Sequence, residues 1–512
     1  MSKNPHPPSS TSIRWFLGAA CFLAGAAMMV IEICAFRLLA PIFGNSVYTW
    51  TALIGVILVA FSAGGFMGGR LVDRFTHLRL LGWLLAGSAI LTYLIPPLHQ
   101  GFGEHFLTSG LIGGSIMASV FFFAIPGALL GAVSPAAVRL YSLTQKDTHV
   151  GAAAGTISML GSLGSFVGTF LSGFVLLSHF GVRTIFLGCA TLLVLLALMS
   201  FLLEKLQKKA AGALVASALT AGFIGSQAHE QPGRDVLHVE ESFYHRIEVS
   251  ESGVSPHKQR LLRLDSTPEG AMNPDDGSLV MDYQHYWRLP LLKDQPRIHS
   301  ALFIGAGAFG MPEAVSREFP EATVDVAEID PRVIEVGKKY FKLADHPRVQ
   351  AYPGDARRFL NEHQDKKWDL IFGDAYAGVR SIPSHLVTRE FFQLVADHLT
   401  PEGSFVMNAI TSVQGPRSEL LAGLLATLRT VFPKVEVFAV QRPRTIAQNI
   451  IILASRQDWS TLLTDRFYAE GTWQNRLVAS HVTGSQLPAG GTVFTDDFNP
   501  VDRIIARSLL LE

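Results

Sequence analysis

Charge is scarce in this 512-residue chain: 16% of its residues are Asp, Glu, Lys or Arg, against roughly 25% in soluble domains. Cysteine is scarcer still. Cys21, Cys34 and Cys189 each lie in an apolar run without metal-ligand spacing. They read as small apolar packing residues, and neither a disulfide framework nor a thiolate metal centre is expected. Net charge is absent too, formally +0, but the zero sums two unlike halves. Residues 1–229 hold 12 Lys and Arg against 5 Asp and Glu, which leaves 30 and 37 for residues 230–512. An acidic second half gives no footing to a nucleic-acid partner.

The first half is long and apolar in a chain that is 49% hydrophobic. Uncharged runs recur at Trp15–Ile31, Leu38–Gly69, Leu80–Gly103, Phe106–Val138, Val150–Val182, Thr184–Leu203 and Ala210–Ala228. About 20 apolar residues cross a bilayer. The first six runs are therefore expected to span it. Ala210–Ala228, rich in Ala, Gly and Ser, is expected to lie on it or re-enter it. The first run leads straight into others and does not read as a cleaved signal. Lys3 and Arg14, then Arg70, Arg74 and Arg79, then Arg139 and Lys146, then Lys205, Lys208 and Lys209 gather on alternate connections. Basic loops stay inside, so the N-terminus is expected in the cytoplasm. Residues 1–230 thus read as an integral membrane unit of six to seven spans, with the lipid bilayer as partner. Glu32 lies within the first span, with Arg37 five residues on. An ionisable group at that depth is either functional or half of a structural ion pair. Gly64-Gly-Phe-Met-Gly68 and Gly161-Ser-Leu-Gly164 suit close helix packing.

From about Asp235 charges return. Val236–Val249 and Gln259–Leu264 alternate like strands, with Gly253 and Pro256 between them. They predict a small antiparallel unit over 231–295. Strand signals follow at Ala301–Ile304, Thr323–Ala327, Val349–Tyr352, Asp369–Phe372, Ser404–Met407, Val435–Val440 and Asn449–Leu453. Helical stretches such as Met311–Phe319, Arg332–Phe341, Glu390–Leu399 and Arg417–Val431 fall between them. The alternation predicts an α/β domain over 296–512, with a parallel sheet and helices on both faces. Ligands in such sheets lie beyond the C-terminal strand ends.

Four of those ends carry chemistry. Gly305-Ala-Gly-Ala-Phe-Gly310 stands between strand and helix, where glycines let the backbone turn and approach a ligand. Glu328-Ile-Asp330 ends the next strand, where a carboxylate can accept both hydroxyls of a ribose. Asp355, in Gly354-Asp355-Ala356, can take the amino group of adenine, cap the following helix, or both. Asp374 ends the fourth strand and is followed by Ala375 and Tyr376. A carboxylate there can orient an amine and take its proton. A hydride cofactor needs no such series, so a nicotinamide is disfavoured.

With these residues in place, Val236 to Ala409 resembles the spermidine synthases, the aminopropyltransferases. The resemblance is carried by Ser242-Phe-Tyr-His-Arg-Ile247, Leu264-Asp265, the glycine loop, Glu328-Ile-Asp-Pro331, Gly354-Asp355, Asp369 to Asp374, Glu390-Phe-Phe392 and Leu399-Thr-Pro-Glu-Gly403. The whole chain is similar to bacterial proteins that fuse a multispan membrane unit to such a domain, down to the Glu32…Arg37 pair and Thr495-Asp-Asp-Phe-Asn-Pro500. The resemblance implies a Rossmann-like fold of the methyltransferase and spermidine synthase type. It also implies S-adenosylmethionine or its decarboxylated form as co-substrate, and no metal. Gly305, Gly307 and Gly310 would cradle the methionine-derived tail, Glu328 the ribose, and Asp355 and Ala356 the adenine. Asp374 would be the catalytic base. Tyr244, Asp265 and Tyr376 would edge the acceptor site. Three positions depart from the family pattern. Ala308 and Ala377 replace acids that hold ammonium groups, and Glu269 stands nearest to a usual glutamine. Asp496 and Asp497 are candidates to restore the lost charge, while Arg380 and His385 would favour an anionic or larger acceptor.

The expected activity is aminopropyl transfer to an amine at a cell inner membrane, by a possible homodimer. Methyl transfer on the same fold is the alternative, and a non-catalytic polyamine transporter or sensor is a third reading. Because the donor is made in the cytoplasm, six spans and a cytoplasmic catalytic domain are favoured over seven. The stretch Gly222 to Ala228 resembles the end of an export signal and points the other way.

Overall fold

The computed structural model describes residues 10–44, 47–144, 150–204, 216–217, 220–224, 235–265, 267–293, 297–376, 381–464 and 466–509. Most of Ala210–Ala228, together with Lys3, Lys146, Lys205, Lys208, Lys209, Ala377 and Arg380, lies outside them. The chain forms two compact units, Met1–Gln231 and Pro232–Glu512.

The first unit holds six helices long and apolar enough to cross a membrane: Thr11–Phe43, Val47–Arg74, Leu78–Phe102, Ile112–Ser142, Val150–His179 and Val182–Leu203. The run Leu38–Gly69 is not one span. The first helix ends at Phe43 and Gly44 turns with φ +77°, so Glu32 and Arg37 both lie inside the first helix. Absence of charge joins the run across this break, although Gly44-Asn-Ser46 is itself a turn signal in the sequence. Glu32 is half-buried and forms no ion pair with Arg37 among the described residues. Arg14, Arg70, Arg74, Arg79 and Arg139 gather at one end of the bundle, while Arg37 and Arg183 lie towards the other. Arg14 Nε donates to Thr144 Oγ1 at 3.1 Å, Arg139 pairs with Asp73 at 3.6 Å, and Arg79 pairs with Glu204 at 3.3 Å. Along their length two helix pairs approach backbone to backbone. A carbon placed on Gly64 would sit 1.8 Å from the Ala128 carbonyl oxygen, and one on Gly164 would sit 1.9 Å from that of Phe22. Gly161, in contrast, has room for a side chain.

The second unit begins with a four-stranded antiparallel sheet in the order β1-β2-β3-β4, formed by Val236–Glu241, Arg246–Ser252, Gln259–Leu264 and Thr267–Met272. Sequence signals miss β4, whose Pro268, Glu269 and Gly270 are poor strand formers. They also miss the 3₁₀ segment Asp282–Leu292 that follows it.

An eight-stranded sheet comes next: β5 Ser300–Ile304, β6 Thr323–Glu328, β7 Val349–Pro353, β8 Trp368–Gly373, β9 Leu399–Thr411, β10 Lys434–Ala439, β11 Gln448–Ser455 and β12 His481–Val482. Their order is β12-β10-β11-β9-β8-β5-β6-β7. Alternate residues of β5 enter different cores, Ala301 and Phe303 on one face and Leu302 and Ile304 on the other. Both faces are therefore covered, as a sheet with parallel strands requires. Strands β5 to β9 are parallel neighbours. The expectation of an all-parallel sheet fails at β11, which runs antiparallel to both β9 and β10. The link Val440–Ala447 between β10 and β11 is too short for a crossover helix and can only make a hairpin. From β5 the chain builds outward through β6 and β7, then returns to place β8 on the other side of β5. That reversal opens a crevice between the ends of β5 and β8.

Overpacking of close helix contacts costs about 1–3 kcal/mol or more. Gly64→Val and Gly164→Val are therefore expected to lower the melting temperature of the detergent-solubilised protein. Gly69→Ala, which faces open space, is expected to leave it unchanged. Equal melting of all three variants contradicts the packing described.

Candidate active site

The crevice is built by a loop that only small residues permit. After β5, Gly305 and Gly307 take φ of +90° and +48°, and Phe309 takes +57°. A carbon on Gly305 would lie 2.6 Å from the Asp374 carbonyl oxygen, and one on Gly307 would lie 2.9 Å from that of Glu269. The loop thus passes directly against the end of β8 on one side and against β4 on the other. Gly310 has ordinary helical geometry and opens the helix Gly310–Glu318, against Leu279.

Glu328, at the end of β6, is buried. Its Oε2 accepts from the Ala306 amide and its Oε1 from the Asp330 amide, both at 2.9 Å. Burial pushes its carboxyl up, and these two N–H donors oppose the shift. The carboxylate is locked in the plane of the loop, and each oxygen keeps a second lone pair. Asp330 is occupied elsewhere. It caps the helix Pro331–Tyr340 through the Arg332 amide at 2.9 Å and accepts from Ser242 Oγ. Asp355 caps the helix Ala356–Glu362 through the Arg358 amide at 3.0 Å. Its other oxygen lies 2.6 Å from His385 Nε2, which holds the carboxyl below its usual range. His385 therefore belongs to this corner and not to the surroundings of Asp374. Ala356 is buried as the first residue of that helix.

Asp374 follows β8. Asn408 Nδ2, from β9, donates to its Oδ1 at 2.7 Å, and Asn449 Nδ2, from β11, donates to Asn408 Oδ1 at 3.0 Å. Burial raises the Asp374 carboxyl to about 6, against the opposing pull of Asn408 and Tyr283. Its neighbour Tyr376 is fixed by the Ile410 amide, which donates to its hydroxyl at 2.9 Å. Asp374 opens on a cavity of about 640 Å³ lined also by Glu269, Asp282, Tyr283, Tyr376 and Gln448. Glu269 is raised to about 8, first by burial and then by Asp374, Glu328 and Asp265. No cation lies within ion-pair distance of it among the described residues. Two carboxyl groups thus face one cavity with no cation beside them, and the cost of ionising them there is one that a bound cation relieves.

The other anticipated residues lie apart from this cavity. Burial raises the Tyr244 hydroxyl, and the charges of Asp330, Asp355 and Glu328 add to the rise. Asp265 is buried with φ +54° and serves structure: its Oδ2 lies 3.0 Å from His245 Nδ1 and its Oδ1 accepts from the Arg246 amide at 3.0 Å. Asp496 is gripped by Arg357 through bonds of 2.8 and 2.5 Å. Asp497 is exposed. Neither of the two lines the cavity. Tyr283 and Asn408 were not anticipated. A lone Asn inside the apolar strand Ser404-Phe-Val-Met-Asn408 is a readable signal, since a buried amide demands a partner. Tyr283 carries no such sign in sequence.

A family model described as the spermine/spermidine synthase domain matches residues 289–463. A polyamine aminopropyltransferase of Vibrio vulnificus is 30% identical over 182 residues, which cover 35% of this chain and 58% of that relative. This chain thus spans little more than half of that relative's length. A polyamine aminopropyltransferase of Corynebacterium efficiens is 24% identical over 434 residues, 79% of this chain and 78% of that protein. That alignment is longer than the whole second unit and so reaches into the first. The human eEF1A lysine and N-terminal methyltransferase is 28% identical over 150 residues, 27% of this chain and 21% of that protein.

Glu269 and Asp374 bind protons more tightly when folded than when unfolded, so ligand-free stability should fall as pH rises past the ordinary carboxylate range. Melting measured from about pH 5 to about pH 9 is expected to decline. Asp374→Asn should flatten the fall near 6 and Glu269→Gln the fall near 8. Curves that stay parallel to the parent contradict the burial of these groups.

Proposed function

The C-terminal unit carries a spermine/spermidine synthase domain, and from that premise we propose that the protein transfers an aminopropyl group from decarboxylated S-adenosylmethionine to an amine, with Asp374 as base. The observation that carries this reading is the pair of carboxyl groups, Glu269 and Asp374, in one cavity beside the glycine loop. Glu328 takes the ribose hydroxyls, and the corner of Asp355, Ala356 and Tyr244 takes the adenine. The sulfonium carbon then faces Asp374. Asn408 orients the Asp374 carboxylate towards the acceptor nitrogen. As that nitrogen forms its bond to carbon, the carbon–sulfur bond breaks and its electron pair leaves with methylthioadenosine. Asp374 takes the ammonium proton.

Glu269 favours this donor over S-adenosylmethionine. The loop has Ala308 where the family resemblance expects an acid, but β4 meets the loop there. A carbon on Gly270 would lie 2.7 Å from the Ala308 amide nitrogen. Glu269, the preceding residue, supplies from β4 the charge the loop lacks. It attracts an aminopropyl ammonium and repels the carboxylate that S-adenosylmethionine retains. The match to a methyltransferase supports methyl transfer as the second reading, and S-adenosylhomocysteine as product would establish it. The six apolar helices, with basic residues joined at one end of the bundle, support a multispan inner-membrane protein with that end in the cytoplasm.

Removing the base is expected to lower kcat about 10²–10⁴-fold in Asp374→Asn, with donor affinity nearly unchanged, and the parent's kcat/KM should rise through about pH 6. Glu269→Gln should weaken the decarboxylated donor about tenfold (roughly 1.4 kcal/mol) and spare methylthioadenosine. Full activity in Asp374→Asn removes the proposed base, and an unaltered donor preference in Glu269→Gln removes the proposed selector.

A further inference from the structure

The cavity of Asp374 has a neighbour of opposite charge. A second depression of about 400 Å³ is lined by Arg442, Arg476, Thr472 and Asn475, and it shares Val440 and Gln441 with the first. No carboxylate lines it, whereas Glu269, Asp282 and Asp374 line the first. Its two arginines come from separate elements. Arg476 stands on the helix Trp473–Ala479, whose start is capped by Thr472 accepting from the Asn475 amide at 3.2 Å. Arg442 stands on the β10–β11 connection. That connection is pinned from the acidic side by Gln448, a buried residue of the first cavity's wall. Its Oε1 accepts from the Gln441 amide at 2.6 Å, and its Nε2 donates to the Pro443 carbonyl at 3.1 Å. The residue that lines the acidic cavity thus also fixes the segment carrying the first arginine.

Neither guanidinium has an ion-pair partner among the described residues. Asp282 and Arg476 both act on Tyr286 and His285, yet the two stand beyond ion-pair distance of each other. A diamine, positive at both ends, would leave both arginines unmatched and would carry its far charge towards them. Both arginines are exposed, and two guanidiniums that line one depression from different elements suit a carboxylate, which accepts two N–H bonds from each planar fork.

We propose that the acceptor is an amino carboxylate: its amine lies at Asp374, its chain crosses Val440 and Gln441, and its carboxylate is held by Arg442 and Arg476. This assignment rests on the reading of Asp374 as the amine end of the site.

The test is calorimetry on the full-length protein in detergent, saturated with methylthioadenosine. Unbranched ω-amino carboxylates of increasing length are titrated beside diamines of matching length. One amino carboxylate is expected to bind at least about tenfold more tightly (roughly 1.4 kcal/mol) than its diamine, with a length optimum. Arg442→Gln and Arg476→Gln should each remove that preference and leave methylthioadenosine affinity intact. Diamines that bind as well, amino carboxylates that do not bind, or a preference that survives both substitutions overturn the inference. Turnover with the decarboxylated donor separates the two readings. Arginine-dependent binding without methylthioadenosine release sinks the transferase reading and leaves this site standing. Turnover of diamines with rejection of amino carboxylates does the reverse.

Discussion

The second unit depends on the approach of three backbones to one another without side chains between them. Gly305 lets the loop after β5 lie against the carbonyl of Asp374, and Gly307 lets it lie against that of Glu269. Both turns use positive φ, where a side chain is strained as well as obstructed. Widen either contact and Glu328 loses the Ala306 amide that orients it. Asp374 and Glu269 would also no longer face one cavity. This backbone contact sets both carboxyls at one cavity, where burial raises each of them and Asp374 adds to the rise of Glu269.

The first unit uses glycine towards another end. Gly64, Gly68 and Gly131 join one helix pair, and Gly25, Gly164 and Gly168 join another, each where an added carbon would meet a neighbouring backbone. In the bilayer proposed for these helices, burial would drive no association between apolar surfaces, and contacts at backbone distance would take its place. Arg14, Arg79 and Arg139 then tie the same end of the bundle through Thr144, Glu204 and Asp73.

Much of this was legible in sequence because local signals agreed. The strands β5, β6 and β8 are short apolar runs closed by Gly305, Glu328 and Asp374, and the helices between them have strong apolar periodicity. What was not legible depended on distant partners. β4 is a strand because β3 pairs with it, despite Pro268 and Gly270, and missing it hid where Glu269 stands. The antiparallel direction of β11 was within reach, since the strand signals at Val435–Val440 and Asn449–Leu453 already leave a link too short for a crossover helix. Asp496 and His385 read as candidates for the acceptor end, but Arg357 and Asp355 claim them. Gly44 breaks a run that composition joins.

The central claim is that an adenosyl group lies across the strand ends with its sugar on Glu328 and its sulfur towards Asp374. A structure of the protein with methylthioadenosine bound tests it most directly. The account predicts both ribose hydroxyls within hydrogen-bonding distance of the Glu328 carboxylate, and the thioether sulfur at the mouth of the cavity shared by Asp374 and Glu269. A nucleoside seated elsewhere, or with its sugar turned away from Glu328, contradicts it.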